Sequence, residues 1–246
     1  MGRRAAIILC ISVVTLVALG LVMLASTSAW VHGVDEDPYL LVKRQGIFAG
    51  VGLVMALMAG CLDYRILRRI WMPLLALGCA LLALCYIPGV QVVVKGEARW
   101  IWAPVIGRFQ PSEVAKLLVI VALAAWFAQY RAEAKSLVKG FLMPGLVLGI
   151  PVALIFFEKD MGTAVALGGA GFLVMFAAGT RMSLLCLVTV VGIVGLYTAV
   201  ESDPYRRMKF EALLNLDDPD VQRKAGYQQY RSKLALASGG LLGAGL

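Results

Sequence analysis

The sequence contains little charge for its length. Only 15% of its 246 residues are Asp, Glu, Lys or Arg, whereas about a quarter of a typical soluble domain is charged. Apolar residues make up 61% of the chain, and the mean hydropathy is +0.84. This composition excludes an ordinary soluble enzyme, a disordered chain and a disulfide-stapled secreted module, and it predicts a polytopic membrane protein.

Histidine is nearly absent, and cysteine forms no recognisable cluster. His32 is the only histidine, so a histidine-based metal centre or catalytic triad would need partners that the sequence lacks. The cysteines lie in apolar stretches or at their edges with no CxxC pair, and we interpret them as small buried apolar residues. The surplus of basic residues, +8 in all, is typical of loop charges that set membrane topology and does not indicate nucleic-acid binding.

Seven stretches are apolar enough to cross a bilayer. A helix needs about 20 apolar residues to span the hydrocarbon core, and backbone groups in lipid must bond within their own helix. The sequence therefore predicts an all-α polytopic fold, with residues 1–246 forming one integral membrane domain. The predicted spans are 5–26, 46–62, 70–88, 114–130, 140–157, 161–180 and 182–200, and the longer polar segments are 89–113 and 201–246.

The first span has two interpretations. Basic residues precede it and small residues follow it, as in a secretory signal peptide. Its apolar core is longer than the roughly 7–15 residues that signal peptides use, and further spans follow closely. We therefore interpret it as an uncleaved membrane anchor.

The distribution of basic residues predicts the orientation. Short connections that share a side with the N-terminus are rich in Lys and Arg, while the first loop on the other side is acidic at 35–37. Basic connections face the cytoplasm, so we expect a cytoplasmic N-terminus and expect 89–113 and 201–246 on the outer face. The basic residues that carry this bias are Arg3, Arg4, Arg65, Arg68, Arg69, Arg131, Lys135, Lys139 and Arg181.

Local spacing predicts structure at several polar positions. Asp160 stands where a helix N-cap is expected, and Glu113 and Lys116 are spaced i,i+3 at a helix start. The 217–220 cluster of three aspartates around a proline is typical of a solvated turn more than of a metal site. An apolar pattern at helical spacing from Tyr227 to Ala237 predicts an amphipathic helix at the membrane interface.

Four stretches together resemble a known family. They are Gly96-Glu-Ala-Arg-Trp-Ile101 with Phe109-Gln-Pro-Ser-Glu-Val-Ala-Lys116, Glu158-Lys-Asp-Met-Gly-Thr-Ala164, Tyr205-Arg-Arg-Met208 with Gly226-Tyr-Gln228, and the Gly-rich run 236–246. In this order they resemble the SEDS family, the FtsW/RodA/SpoVE proteins of bacterial cell-wall synthesis, with a leaning toward FtsW. The resemblance covers essentially the whole chain.

The resemblance implies a fold of about ten spans in the bacterial cytoplasmic membrane. It also implies polymerisation of lipid II into glycan strands on the outer face, beside a class B penicillin-binding transpeptidase and other division or elongation proteins. In the family, a Leu-Pro-Glu…Thr-Asp-Phe segment with the proposed catalytic aspartate follows the Gly-rich run, and no residue here matches it. We therefore leave the catalytic residue unassigned, interpret the chain as a fragment or a truncated gene product, and expect residues 1–246 alone to be inactive.

Polymerisation places three chemical demands on such a protein. A general base must take the proton of the acceptor hydroxyl, cations must stabilise the leaving diphosphate, and the site must lie at the membrane surface. Arg and Lys side chains on the outer segments meet the second demand, and a divalent cation is the alternative. The candidate substrate-binding residues are Arg99, Trp100, Glu113, Lys116, Asp160, Arg206 and Arg207.

Each candidate also has a structural interpretation. Arg99 and Trp100 are either an interfacial anchor or a contact to diphosphate or sugar. Glu113 and Lys116 are either a helix-start pair or intramembrane functional charges. Asp160 is either a plain cap or a residue that supports the site or holds a cation, and Arg206 and Arg207 bind either lipid headgroups or the substrate.

Two further functions remain open at this point. A lipid-linked precursor flippase or other transporter would show polar residues near mid-span, and the span centres here are nearly free of charge. A catalytically silent division scaffold is the other alternative. Formation of polymer from purified protein and lipid II separates the glycosyltransferase from both.

Overall fold

A computed structural model describes residues 2–31, 39–94, 97–103, 107–224, 226–240 and 243. Within it the chain divides into two units, Asp63–Ser202 and the combination of Met1–Leu62 with Asp203–Leu246. Several sequence predictions concern residues outside this described part: His32, the acidic loop 35–37, Gly96 and most of the Gly-rich end.

The described chain is mostly helical. The helices are α1 (Gly2–Val31), α2 (Leu40–Cys61), α3 (Tyr64–Arg69), α4 (Trp71–Ala83), α5 (Pro111–Gln129), α6 (Met143–Phe157), α7 (Met161–Ala177), α8 (Met182–Glu201), α9 (Pro204–Leu214), α10 (Pro219–Arg223) and α11 (Tyr227–Gly239). A 3-10 turn at Leu84–Tyr86 extends α4, and a π-helical turn at Val138–Leu142 leads into α6. Each predicted span therefore corresponds to a helix, although α2 begins six residues earlier than the apolar run.

Five helices in the described residues are long and apolar enough to cross a membrane, at Arg4–Ser28, Leu40–Cys61, Pro111–Gln129, Val138–Phe157 and Met182–Glu201. The two other predicted spans are shorter apolar helices, Trp71–Tyr86 and Met161–Ala177. At 1.5 Å per residue the 17 residues of α7 cover about 25 Å, slightly less than a typical hydrocarbon core. The number of spans stays a prediction.

The core of the 63–202 unit is built around α5. This helix contacts α4, α6 and α7, and it places small residues such as Ala115 and Ala122 at the contacts. Small side chains let membrane helices approach closely and pack without a hydrophobic driving force. The main buried cluster consists of Leu82, Ala115, Val119, Leu123, Ile155, Ala164 and Leu167.

A three-stranded antiparallel sheet occupies much of segment 89–113, for which the sequence analysis predicted no strand. Its strands are β1 (Gln91–Val94), β2 (Glu97–Ala103) and β3 (Gly107–Phe109), in that order. Alternation along β2 sends Ile101 inward, 8% exposed, and Trp102 outward, 63% exposed. Since β2 contacts α5 and the turn after α4, the inward face of the sheet covers one end of the helix core.

The other unit contains α1 and α2, which contact each other, and the polar helices α9, α10 and α11. Apolar side chains of α1 and α2 are exposed along most of their length, which fits helices that face lipid. The predicted helix near Tyr227 is confirmed as α11, and its position at the interface stays a prediction. Segment 201–246 was predicted to be a polar outer segment with a helix near Tyr227, and its described part contains two further short helices, which begin at Pro204 and Pro219.

Candidate functional site

The turn between α6 and α7 brings two acidic side chains together. The amide of Lys159 donates to the carbonyl of Phe156 at 3.1 Å, and the amide of Asp160 donates to that of Ile155 at 3.3 Å. These two bonds form a Schellman motif, in which the residue after the helix cap adopts the left-handed conformation. Lys159 does so, with φ of 64°. The motif ends α6 at Phe157 with Glu158 as its cap, and α7 begins directly after Asp160.

Asp160 is the best-connected residue of this turn. Its Oδ1 accepts from the Thr163 amide at 3.1 Å, and its Oδ2 accepts from the Thr163 hydroxyl at 2.9 Å and from Nε2 of Gln110 at 3.0 Å. The predicted N-cap is therefore confirmed. The structure adds Gln110, which lies just before α5 and ties the start of that helix to the start of α7.

Arg99 joins this carboxylate from the sheet. Its Nη1 lies 3.4 Å from Oδ1 of Asp160, and the exposed fractions of the two side chains are 28% and 6%. Arg99 has the same orientation as Ile101 because the two residues are two positions apart on β2, and alternate side chains of a strand point to the same face. The guanidinium thus connects a buried carboxylate with the protein surface, a position from which an anion outside could reach it.

Glu158 is the second carboxyl of the cluster and has a different environment. The residue is 5% exposed, and within the described part of the chain neither carboxyl oxygen has a hydrogen-bond partner of ordinary geometry. The Cys85 thiol, a weak donor, lies against it. Burial, followed by the negative charge of Asp160, raises the pKa of Glu158 to about 7, while Cys85 and Arg99 act in the opposite direction.

The predicted pair on α5 is confirmed. Nζ of Lys116 lies 2.8 Å from Oε1 of Glu113, one helical turn apart. Both side chains are partly exposed, so the pair is open to solvent or substrate. The neighbouring Ser112 is buried, and its hydroxyl has no hydrogen-bond partner among the described residues. Trp100 is half-buried on the outward side of β2.

Arg206 and Arg207 belong to the other unit, where each pairs locally. Arg206 lies 3.4 Å from Asp203, and Arg207 lies 2.8 Å from Glu211. Two of the three aspartates of 217–220 also interact locally. Asp218 caps α10 by accepting from the Asp220 amide at 2.9 Å, so a helix begins at Pro219 within the segment for which a turn was predicted.

No role was predicted from the sequence for Gln110, Glu158 or Thr163, although all three stand in the stretches that carry the family resemblance. Their spacing gave no signal, because Gln110 and Asp160 are 50 residues apart in sequence. Cys85 was interpreted as a buried apolar residue. It is buried, at 1% exposed, and it also contacts the Glu158 carboxyl.

The residues around Asp160 come from two of the four stretches that resemble the family. Comparison with known proteins shows to which family the chain belongs. A family model for FtsW, RodA and SpoVE, described as "Cell cycle protein", matches residues 6–246. The chain belongs to the FtsW/RodA/SpoVE family. The resemblance drawn from the sequence is thereby confirmed.

Curated members of the FtsW/RodA/SpoVE family align along nearly the whole chain. A "Probable peptidoglycan glycosyltransferase FtsW" of Geobacter metallireducens is 35% identical over 99% of this chain and 64% of its own length. The "Stage V sporulation protein E" of Bacillus subtilis is 33% identical over 98% of this chain and 65% of its own length. The chain therefore spans slightly less than two thirds of these relatives.

Solved structures of family members have the same fold. A crystal structure of a Thermus thermophilus rod-shape-determining RodA mutant matches with a TM-score of 0.59 at 30% identity, over 76% of this chain and 57% of that one. A chain from a structure described as "Structural coordination of polymerization and crosslinking by a peptidoglycan synthase complex" matches with a TM-score of 0.61 at 29% identity, over 91% and 66%. The FtsW-like family and the all-α, multi-pass membrane fold predicted from the sequence are confirmed.

Proposed function

We propose that the protein is a peptidoglycan glycosyltransferase that polymerises lipid II at the outer face of the cytoplasmic membrane. The observation that carries the proposal is the ion pair between the partly exposed Arg99 and the buried Asp160, at one end of the helix core formed by α4 to α7. Relatives along nearly the whole chain bear the name of this activity. The Arg99 guanidinium of this cluster supplies the cation that the leaving diphosphate needs.

Transfer of the glycan leaves a lipid diphosphate, on which negative charge develops. A planar guanidinium binds phosphate oxygens through two parallel hydrogen bonds, and a fixed donor at a developing charge lowers the barrier. Asp160 would hold Arg99 in place, while Gln110 and Thr163 hold Asp160. Lys116, paired with Glu113 at the start of α5, is a second cation near this end of the helix. The base that accepts the hydroxyl proton stays unassigned.

We further propose that the protein works with a class B penicillin-binding transpeptidase. A chain from a structure described as a complex of polymerization and crosslinking matches 91% of this chain, and that description supports such a partner. The cytoplasmic N-terminus and the outer position of 89–113 belong to the same proposal, since the substrate must be reached from outside.

Replacement of Arg99 in the full-length protein tests the proposed function. Hydrogen bonds to charged groups contribute about 1.5–3 kcal/mol, so Arg99→Ala should lower kcat/KM for lipid II polymerisation about tenfold to a hundredfold. Arg99→Lys should recover only part of this loss, because lysine lacks the planar fork. The measurement is glycan-strand formation by the purified protein with its transpeptidase.

Arg131→Ala is the matched control, because Arg131 is an exposed arginine just beyond the opposite end of α5. It should leave polymerisation unchanged. Each variant is first compared with the wild type in membrane yield and thermal midpoint, since loss of Arg99 leaves Asp160 buried without its cation. Undiminished activity of a well-folded Arg99→Ala protein would show that Arg99 is an anchor only. Absence of polymer from the wild type would refute the proposed function itself.

A further inference from the structure

Glu158 stands out among the buried groups because the proposed reaction does not use it. It has a titratable carboxyl, it is more than nine-tenths buried, and its two oxygens have no hydrogen-bond partner of ordinary geometry in the described residues. An unpaired buried carboxylate is costly unless it takes up a proton. Its neighbour Asp160, two residues later in the same turn, differs because both of its carboxyl oxygens accept hydrogen bonds.

The groups that face Glu158 come from every element packed around it. Arg99 approaches from β2, Cys85 and Tyr86 from the turn after α4, and Asp160 from the same turn as Glu158. Lys159, between the two acids, is exposed. The cluster therefore contains one partly exposed guanidinium and two buried carboxyls.

The net charge of this cluster depends on one proton. With Glu158 protonated, Arg99 and Asp160 balance, and the site is neutral toward an approaching anion. With Glu158 ionised, the same site carries one net negative charge, and Arg99 is shared between two carboxylates. A negative charge beside the guanidinium repels a diphosphate through a medium that screens it poorly.

We propose that Glu158 is a positioning residue that carries the exchangeable proton of the cluster and thereby sets the charge that the substrate diphosphate meets at Arg99. This inference rests on the proposed function. Glu158 acts through Arg99 and does not itself touch the substrate. Its effect is expected in KM, through the charge that the bound diphosphate already carries, and also in kcat/KM, because Arg99 meets the further charge that develops as the diphosphate leaves.

The first experiment is the pH profile of KM for lipid II in the full-length protein. Burial places the pKa of Glu158 near neutral pH. Loss of its proton should therefore raise the wild-type KM about tenfold between pH 6 and 8.5. Glu158→Gln, which stays neutral, should keep the low-pH KM throughout. Glu133→Gln, at an exposed carboxyl paired with Lys139, should follow the wild type. A Glu158→Gln profile that follows the wild type overturns the proposal.

Two variants leave Glu158 intact and make the test independent of its replacement. A donor to the carboxylate favours the charged form. Cys85→Ser supplies a stronger donor and should shift the KM midpoint to lower pH by about half a unit. Cys85→Ala removes the thiol and should shift the midpoint to higher pH. If Cys85 had only a structural role, the two variants would not move the KM midpoint in opposite directions. Shifts of the midpoint in the same direction in both variants therefore contradict the proposal.

A second readout does not depend on activity. The carboxylic C=O band in pH-difference infrared spectra of the full-length protein should titrate near neutral pH, and Glu158→Gln should remove it. If this band is missing while the protein polymerises lipid II, the inference fails and the proposed function stands. If the band is present in a protein that forms no polymer, the proposed function fails, and Glu158 remains the group that carries the exchangeable proton of the cluster.

Discussion

At the scale of the residue, burial and hydrogen bonding give two neighbouring carboxyls different properties. Asp160 accepts three hydrogen bonds and pairs with Arg99. Glu158 lacks partners of this kind and is buried, so desolvation dominates and raises its pKa from 4.5 to about 7. The charge of Asp160 then acts on Glu158 as a like charge, which favours protonation further.

The pKa of Glu158 predicts a pH dependence of stability with a definite sign. Between pH 4.5 and about 7 the folded protein binds a proton that the unfolded chain has lost, so the free energy of unfolding falls as pH rises. The full loss is at most about 3 kcal/mol. Glu158→Gln lacks this loss, and its thermal midpoint should therefore exceed that of the wild type at pH 8 by several degrees.

The measurement is thermal unfolding in detergent at a series of pH values. The two midpoints should converge below pH 4.5, where Glu158 is protonated in both the folded and the unfolded state. Glu133→Gln, in contrast, should give no gain at pH 8. A constant difference between wild type and Glu158→Gln at every pH would contradict the assigned protonation.

At the scale of the element, the two ends of α7 are bounded by the same kind of turn. At the C-terminal end, the Gly179 amide bonds to Phe176 at 3.0 Å and the Thr180 amide to Met175 at 3.2 Å, with φ of 88° at Gly179. At the N-terminal end Lys159 holds the same position. Glycine adopts this conformation without steric cost, whereas a residue with a Cβ atom does not.

Lys159→Gly should therefore stabilise the folded protein by about 1 kcal/mol. Lys159 is exposed, so its side chain loses little packing. Gly179→Ala, in the matching turn, should destabilise by a similar amount. Thermal midpoints in detergent measure both changes. A loss of stability on Lys159→Gly would mean that the lysine side chain makes a stabilising contact that outweighs the strain.

The turn between α5 and α6 is held by close backbone approach. The Trp126 indole donates to the Lys139 carbonyl at 2.8 Å, and the Thr180 hydroxyl donates to the Gly140 carbonyl at 2.9 Å. A Cβ atom at Gly140 would lie 2.0 Å from the Ala134 carbonyl oxygen. Only glycine fits, because a backbone oxygen cannot move aside as a flexible side chain can.

Gly140→Ala should accordingly lower the free energy of unfolding by about 2 kcal/mol or more. Gly145→Ala is the matched control in the following helix, where a Cβ atom meets nothing within 4 Å. It should be neutral or stabilise by up to about 1 kcal/mol, since alanine favours helix more than glycine does. Denaturation in detergent compares the two, and equal effects would contradict the steric explanation.

At the scale of the whole molecule, the exposed apolar helices require a membrane. Side chains of α1, α2 and α8 are exposed and apolar along most of their length, and in water such surfaces would associate. Basic residues cluster at 65–69 and 131–139, which predicts that these connections face the cytoplasm.

Cysteine labelling tests this orientation. In a cysteine-free background, a cysteine at Asn215 should react with an impermeant thiol reagent on cells with a permeabilised outer membrane, because 201–246 is expected outside. A cysteine at Lys135 should react only after the inner membrane is opened. Both positions are exposed, so a difference in labelling between them cannot be caused by burial of the side chain within the protein. The reverse pattern would overturn the predicted topology.

The sequence by itself determined what depends on nearby residues and on total apolar content. Spans follow from runs of apolar residues, the Asp160 cap from its position before α7, and the Glu113–Lys116 pair from helical spacing. Each of these was predictable because the interacting groups are within a few residues, where helix geometry fixes their distance. The family resemblance was likewise readable, since it rests on motifs in order along the chain.

Tertiary structure alone decided the composition of the candidate site. Strand pairing turned Arg99 toward Asp160, and helix packing brought Gln110 to the same carboxylate across 50 residues of sequence. The burial of Glu158 depends on the turn after α4, which places Cys85 beside it. Distances between groups far apart in sequence depend on how helices and strands pack, and burial depends on what covers a side chain, so neither follows from local patterns.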